Sequence, residues 1–264
     1  MLFVNKIESS VESIDSIKKI FVCHGILGSG LNWRTFCRNL QKVRPELEFH
    51  LIDLRCHGRS PTLQPPHTVE SCANDLLDLM KDIGTPHAII GHSFGGSVAI
   101  QLALTRPDLV KSLFIAEGNL LPGGGAGSRS IAANSKAEFV NKVFPKMLNR
   151  IREDALIKKS GPDVLASSWS IADVGGIYEN AISLVNLPKR FEKDFLTLDI
   201  PRCFMFSEEN FPAEGTAGTA DIPNVERLKS FGVLVEILPK SGHEMMISNP
   251  EDFTKILSGF LNTN

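Results

Sequence analysis

The sequence predicts an α/β chain: a mostly parallel, doubly wound sheet into which a helical cap is inserted. Three observations predict it. Short β-branched and aromatic runs alternate with longer stretches whose apolar residues recur at helical spacing. The short runs are almost continuously apolar, as strands covered on both faces must be. Between two of them, from Leu121 to Phe195, lies a helical stretch far too long for an ordinary crossover. Strand and helix in alternation give a parallel sheet wrapped by helices.

Taken in order, "MLFVNKI" reads as an edge strand. "IKKIFVCHG", "LEFHLIDLRCHG", "PHAIIGHSFGG", "VKSLFIAEGN", "PRCFMFSEEN" and "VLVEILPKSGH" each read as a strand running into a loop. Among them, "LNWRTFCRNLQKV", "TVESCANDLLDLMKDIG", "SVAIQLALTRPDLV" and "IPNVERLKSF" carry apolar positions at helical spacing. The tail "NPEDFTKILSGFLN" is a last helix with Pro250 near its start, where a missing N–H costs nothing. After the Gly-rich "PGGGAGS" the pattern turns helical, with "KAEFVNKVFPKMLNRI" and "GGIYENAISLVNL" and no convincing strand. The core is therefore expected over residues 1–120 and 196–264, and the cap over 121–195.

Composition narrows the function. Hydrophobic residues make up 42% and charged ones 22%, the balance of a globular protein with a sizeable core. A net charge of −2 gives no reason to expect nucleic acid or an anionic membrane as a partner. No apolar stretch reaches the roughly 18 residues needed to span a bilayer. The opening "MLFVNKIESSVESIDS" has no basic region followed by a long apolar one, so a cytoplasmic location is expected. Cys23, Cys37, Cys56, Cys72 and Cys203 are an odd, widely spaced set without C-x-x-C, and no histidines stand at H-x-x-x-H. Neither a disulfide framework nor a metal site is expected.

Ligands of an open parallel sheet bind beyond the carboxyl ends of its strands. Those ends here read "CHGILGSG", "DLRCHGRS", "GHSFGG", "AEGN", "SEEN" and "SGHEMM". Gly91-His92-Ser93-Phe94-Gly95 fits G-x-S-x-G after a strand and before a helix. A nucleophile needs that sharp turn so its hydroxyl projects free of the sheet. A P-loop is not indicated, since no Gly-Lys-Ser/Thr follows, and "GHSFGG" lacks dinucleotide-binding spacing. A serine hydroxyl also needs a base. His243 follows the last strand and fits the order nucleophile, acid, base. His92 lies inside the elbow and points elsewhere, and His57 reads as a loop residue. An oxyanion needs two fixed N–H donors, expected from the backbones of Phe94 and Ile26, with His24 and Gly25 shaping the latter's loop.

Together these residues resemble the α/β-hydrolase superfamily, specifically its capped, esterase-like serine hydrolases. "HGILGSGLNW", "DLRCHGRS", "GHSFGG" and "SGHEMMISNPEDF" carry the likeness in order, over nearly the whole chain apart from the cap. The resemblance implies an eight-stranded type of sheet, with or without its first strand, and no cofactor. In most members an Asp after the seventh strand, in a G-x-x-D pattern, completes the triad. Laid on "SEEN", that pattern puts Ser207 at the Gly and Asn210 at the Asp. An amide carries no charge to steady an imidazolium. Some members, haloalkane dehalogenases among them, seat the acid one strand earlier, where this chain has Glu117. A carboxylate stranded between "LFIA" and "GN" is expensive unless paired. Glu117 is thus the expected acid, with Glu208 and Glu209 as alternatives. Dehalogenase chemistry needs an Asp where Ser93 stands. Asp53 reads as a structural acid holding Arg55 or loop N–H groups, and Arg55 and Arg59 as loop ties.

The expected function is a serine hydrolase cleaving a small carboxylic ester or related acyl compound through Ser93, His243 and Glu117, acting as monomer or homodimer. The alternatives are a ligand receptor or scaffold of the same fold, motivated by Asn210, and other chemistry on this fold: C–C hydrolase, thioesterase or acyltransferase.

Overall fold

Apolar runs that cannot be left in water become the strands of one twisted sheet, and the amphipathic stretches cover its two faces. The computed structural model describes residues 1–11, 18–81, 83, 87–157, 162–213, 218–219 and 221–263. The strands are β1 (Phe3–Ile7), β2 (Lys18–Cys23), β3 (Leu47–Asp53), β4 (His87–His92), β5 (Val110–Ala116), β6 (Arg202–Ser207) and β7 (Leu234–Leu238). They lie in the order β1-β3-β2-β4-β5-β6-β7. Only β1, the edge strand read from "MLFVNKI", runs antiparallel to its neighbour, with Phe3 opposite Asp53. Seven strands are thus present among the described residues. From β2 the chain steps outward to β3 and then returns to β4 on the other side. That reversal opens a crevice at the carboxyl ends of β2 and β4, where ligands of such sheets bind.

Alternation along each strand feeds two cores. Phe21 and Cys23 of β2, and Leu113 and Ile115 of β5, join one cluster, while Ile20, Val22, Phe114 and Ala116 join the other. Helices α1 (Leu31–Val43) and, at the C-terminus, α12 (Pro250–Thr263) cover the second face with Trp33, Phe36, Phe253 and Leu257. Helices α2 (Val69–Lys81) and α3 (Phe94–Thr105) cover the first. The helix expected across "SVAIQLALTRPDLV" stops at Thr105, because Pro107 cannot continue it. Pro107–Leu109 make one tight turn, and Val110 opens β5.

Between β5 and β6 the described residues form helices and no strand. They are α4 (Ala126–Ala132), α5 (Lys136–Glu138), α6 (Phe144–Ile157), α7 (Pro162–Ser170), α8 (Val174–Val185) and α9 (Phe191–Leu196). A π-turn over Phe139–Val143 joins α5 to α6. It stands just ahead of Pro145, whose ring would clash with the carbonyl four residues back in a regular helix. Ser135 caps α5 and Asp173 caps α8, each side chain accepting a backbone N–H. Ile131, Phe139, Phe144, Ile177 and Ala181 pack together with Leu27 and Cys56 from the loops after β2 and β3. Toward its C-terminal end the segment turns to the sheet, beginning with Leu184 of α8. Phe191, Phe195 and Leu196 of α9 belong to the cluster on the sheet face beside α3. Two short helices, α10 (Val225–Ser230) and α11 (Met245–Ser248), complete the fold. No helix of the described residues is long and apolar enough to cross a membrane.

Candidate active site

Ser93 sits between β4 and α3 with φ 50° and ψ −121°, a backbone conformation that side chains other than Gly rarely take. Its N–H bonds Ala116 O at 3.0 Å and its carbonyl accepts Gly96 N–H at 2.9 Å, which fixes the turn. The turn is tight enough to demand glycine. A Cβ on Gly91 would stand 2.6 Å from Gly96 Cα, and one on Gly95 would stand 2.4 Å from Cys23 O. The sharp strand-to-helix turn that G-x-S-x-G requires is therefore present.

Glu117 follows β5 directly, again at positive φ, +51°. Its carboxylate is buried and crowded with donors. Nδ1 of His243 lies 2.7 Å from Oε2, and Ser207 N–H donates to Oε1 at 2.9 Å, joined by the Ser207 hydroxyl. The Asn210 side-chain amide donates to both oxygens, at 3.1 and 3.0 Å. Burial alone would raise the acid's pKa, but the bonds from His243 and Ser207 outweigh it and hold Glu117 at about 2. Burial pulls His243 down, yet the hydrogen bond and charge of Glu117 lift it above its ordinary value. The two are an ionised carboxylate and a strengthened base.

His243 hangs from the loop after β7, its side chain 49% exposed. Its ring packs 4.6 Å from that of His92, which donates from Nε2 to the His243 carbonyl at 2.9 Å. His92 is thus a buried prop for the loop. Ser93 and His243 line one cavity of about 410 Å³, together with Ile26, Trp33, Trp169 and Ile222. No hydrogen bond joins the Ser93 hydroxyl to the ring in this structure. Such bonds often tighten only when substrate is bound.

The loop after β2 is cross-braced by two histidines. Nε2 of His24 accepts Leu54 N–H at 3.1 Å, and its Nδ1 donates to Gly25 O at 2.7 Å. Nε2 of His57 accepts Leu27 N–H at 3.1 Å, and its Nδ1 donates to Arg55 O at 2.8 Å. Burial lowers both, His24 to about 4 and His57 to about 3, so each stays neutral and can accept. Ile26 lines the cavity within this braced loop, and its N–H makes no hydrogen bond among the described residues. Phe94 opens α3, where an N–H has no intrahelical partner, while its ring is buried beside His57.

The other acids lie elsewhere. Glu208 accepts Lys240 N–H at 2.7 Å, and Glu209 approaches Gly242; neither bonds His243. Asp53 accepts Gly30 N–H and Arg59 N–H, each at 2.7 Å. It holds loop N–H groups and not Arg55, which makes a two-point pair with Asp75 at 2.6 and 2.8 Å. The guanidinium of Arg59 stands over the Phe3 ring at 5.2 Å.

Residues 19–166 match the sequence model described as "alpha/beta hydrolase fold". The chain belongs to that family. It is a hydrolase, as are the lipases that it matches along nearly its whole length. It is 25% identical over 255 residues to sn-1-specific diacylglycerol lipase ABHD11 of Mus musculus, covering 93% of this chain and 81% of that one. Among solved structures, a carboxylesterase of Nitrososphaera gargenis superposes with TM-score 0.77 at 16% identity, covering 99% and 94% of the two chains. The enol-lactonase from Burkholderia xenovorans LB400 gives 0.76 at 17%, covering 99% and 96%. At such identities the structures share the fold alone.

Within this hydrolase, the sequence reading missed one pair of residues. Ser207 and Asn210 are donors to Glu117, whereas the motif presented Asn210 only as a missing Asp. The signal was available: two hydrogen-bonding side chains stand at the very positions where most members keep the acid's strand end.

Proposed function

We propose that the protein is a serine hydrolase that cleaves small carboxylic esters or related acyl compounds through an acyl-enzyme. Ser93 Oγ attacks the carbonyl carbon while Nε2 of His243 takes its proton. The same imidazolium then protonates the leaving alcohol, and a water repeats the sequence to free the acid and Ser93. Glu117 fixes the tautomer through Nδ1 and stabilises the charged ring. The N–H groups of Ile26 and Phe94 hold the oxyanion. Helices α4 to α8 act as the cap over the pocket, and α9 belongs to the core.

The observation that carries this reading is the 2.7 Å bond from His243 to an ionised, buried Glu117, in a cavity shared with a strained Ser93. The ligand-receptor alternative rested on Asn210 in the acid's usual place. A carboxylate on His243 removes that motive.

The test combines a covalent probe with an activity series. A fluorophosphonate should label the wild-type chain and not Ser93→Ala. With p-nitrophenyl esters of graded length, Glu117→Gln should lower kcat by up to about 10⁴, as loss of the triad carboxylate does elsewhere. Glu208→Gln and Glu209→Gln should leave most activity. An unlabelled Ser93 would defeat the enzyme reading. A large loss at Glu208 or Glu209 with Glu117→Gln active would defeat the choice of acid.

A further inference from the structure

We propose that Cys56, His67 and Asp173 form a site for a divalent transition metal, zinc foremost, that fastens the helical segment to the sheet. The three come from separate parts of the chain: the loop after β3, the loop before α2, and the N-cap of α8. Among the described residues they are the group whose ligand atoms, one from each, all lie within 4.8 Å of one another. A reading by local spacing cannot find such a set, because no two of its members share a motif.

The anomaly that points to a ligand is His67. Its side chain is 95% withdrawn from solvent, with 5% exposed, and Nδ1 is buried without a hydrogen-bond partner. Neither ring nitrogen bonds any described residue. Buried polar atoms are seldom left so, and each one needs an explanation. Asp173 is half-spent in the same way. Its Oδ1 accepts Gly176 N–H at 3.1 Å as the helix cap, while Oδ2 bonds no described residue. The backbone holds the pair together, since Asp173 N–H donates to Cys56 O at 2.9 Å.

The space is shaped for the donors. A Cβ on Gly176 would stand 2.2 Å from Cys56 Sγ and 3.1 Å from Asp173 Oδ2, so the thiol and free carboxylate oxygen both lie against that bare Cα. His67 also lines a surface recess with Pro66, Thr68 and Glu179, which gives an ion a way in. None of the three ligands lines the cavity that holds Ser93. The site is therefore a fastening and not part of the ester chemistry.

The donor set selects the metal. Thiolate, imidazole and carboxylate are the ligands of zinc, whereas calcium and magnesium take oxygen alone. Bond lengths of about 2.0–2.3 Å put tetrahedral ligand atoms roughly 3.5 Å apart, so the trio must draw in by about 1 Å. A water fills the fourth position. On binding, the thiol S–H bond breaks, its proton goes to solvent, and the sulfur keeps the electron pair for the metal.

Cobalt(II) is the probe, because a cysteine ligand gives it a thiolate-to-metal charge-transfer band in the near ultraviolet. Titrating cobalt into the chelator-treated full chain should raise that band to saturation at one equivalent, and zinc should displace it. Cys56→Ser should abolish the band. His67→Gln should weaken cobalt binding at least as much as the ~10–100-fold that loss of a supporting partner brings. Far-ultraviolet circular dichroism checks that each variant is folded, and the readout does not depend on any hydrolase activity. No band at stoichiometric cobalt, a band that survives Cys56→Ser, or unchanged affinity in His67→Gln would each overturn the site.

Discussion

The Asn210 amide spends both its reach and its polarity on Glu117, donating to each carboxylate oxygen at 3.1 and 3.0 Å. An Asp there would return the residue type usual in the superfamily, but not its place in this site. It would remove the donor and set a second carboxylate beside the first. Like charges so close cannot both ionise freely, so one of the pair takes up a proton at a raised pKa. Asn210→Asp is nearly isosteric, and it should nonetheless cost about 1–3 kcal/mol at neutral pH, the range for stranding a buried polar partner. The sign with pH follows from the raised group. Between the ordinary carboxylate range and its raised pKa the folded state binds the extra proton, so stability falls as pH rises through that window. Urea unfolding of both proteins at mildly acidic and neutral pH checks this. A deficit that does not grow toward neutral pH would mean Asn210 only fills space.

The elbow is the element on which the rest depends, and its glycines touch backbone, which cannot step aside. A Cβ at position 95 would meet Cys23 O at 2.4 Å and His24 O at 2.5 Å, pushing α3 away from the loop that carries Ile26. Gly95→Ala should therefore destabilise by about 1–3 kcal/mol, as overpacking does. It should also lower kcat on p-nitrophenyl esters, because the N–H groups of Phe94 and Ile26, the proposed oxyanion donors, would no longer keep one spacing. A variant as stable and active as wild type would show that the elbow has slack. The turn was legible in the sequence because G-x-S-x-G is contiguous, and the pairing of Glu117 was legible because a lone acid at a buried strand end asks for a partner. Asn210 was misread as a lack, since its partner stands on another strand and no motif spans the two. The surface on which α9 packs was also hidden: an amphipathic helix records that one face is covered, not what covers it. The Cys56, His67 and Asp173 cluster was hidden for the same kind of reason, its members being brought together only by the packing of α8 on two loops.

Across the whole molecule, the charges around the cavity set which substrates can enter. Among the described residues its lining has no Lys or Arg, while Glu117, Asp221 and Glu244 all contribute to it. Glu117 is taken by His243, and Asp221 pairs with Arg129 at 2.9 Å, but Glu244 makes no ion pair with a described residue. Leu27, Leu165, Trp169, Leu184 and Ile222 supply apolar wall. An acyl group with a terminal carboxylate would lose its water there and gain no cationic partner, while facing carboxylates of its own sign. A neutral acyl chain of the same length loses nothing comparable and gains apolar contact. The protein should thus prefer uncharged esters. Paired p-nitrophenyl esters, one of a monocarboxylic acid and one of the dicarboxylic acid of equal chain length, test this directly. The anionic member should be turned over at least tenfold less well in kcat/KM, a difference of about 1.4 kcal/mol. Most of the loss should lie in KM, because the terminal carboxylate is remote from the reacting carbonyl. Added salt should narrow the gap by screening the repulsion at the half-exposed mouth. Equal kcat/KM for the two esters would mean that the acidic lining does not govern entry, and selectivity would then rest on the shape of the apolar wall.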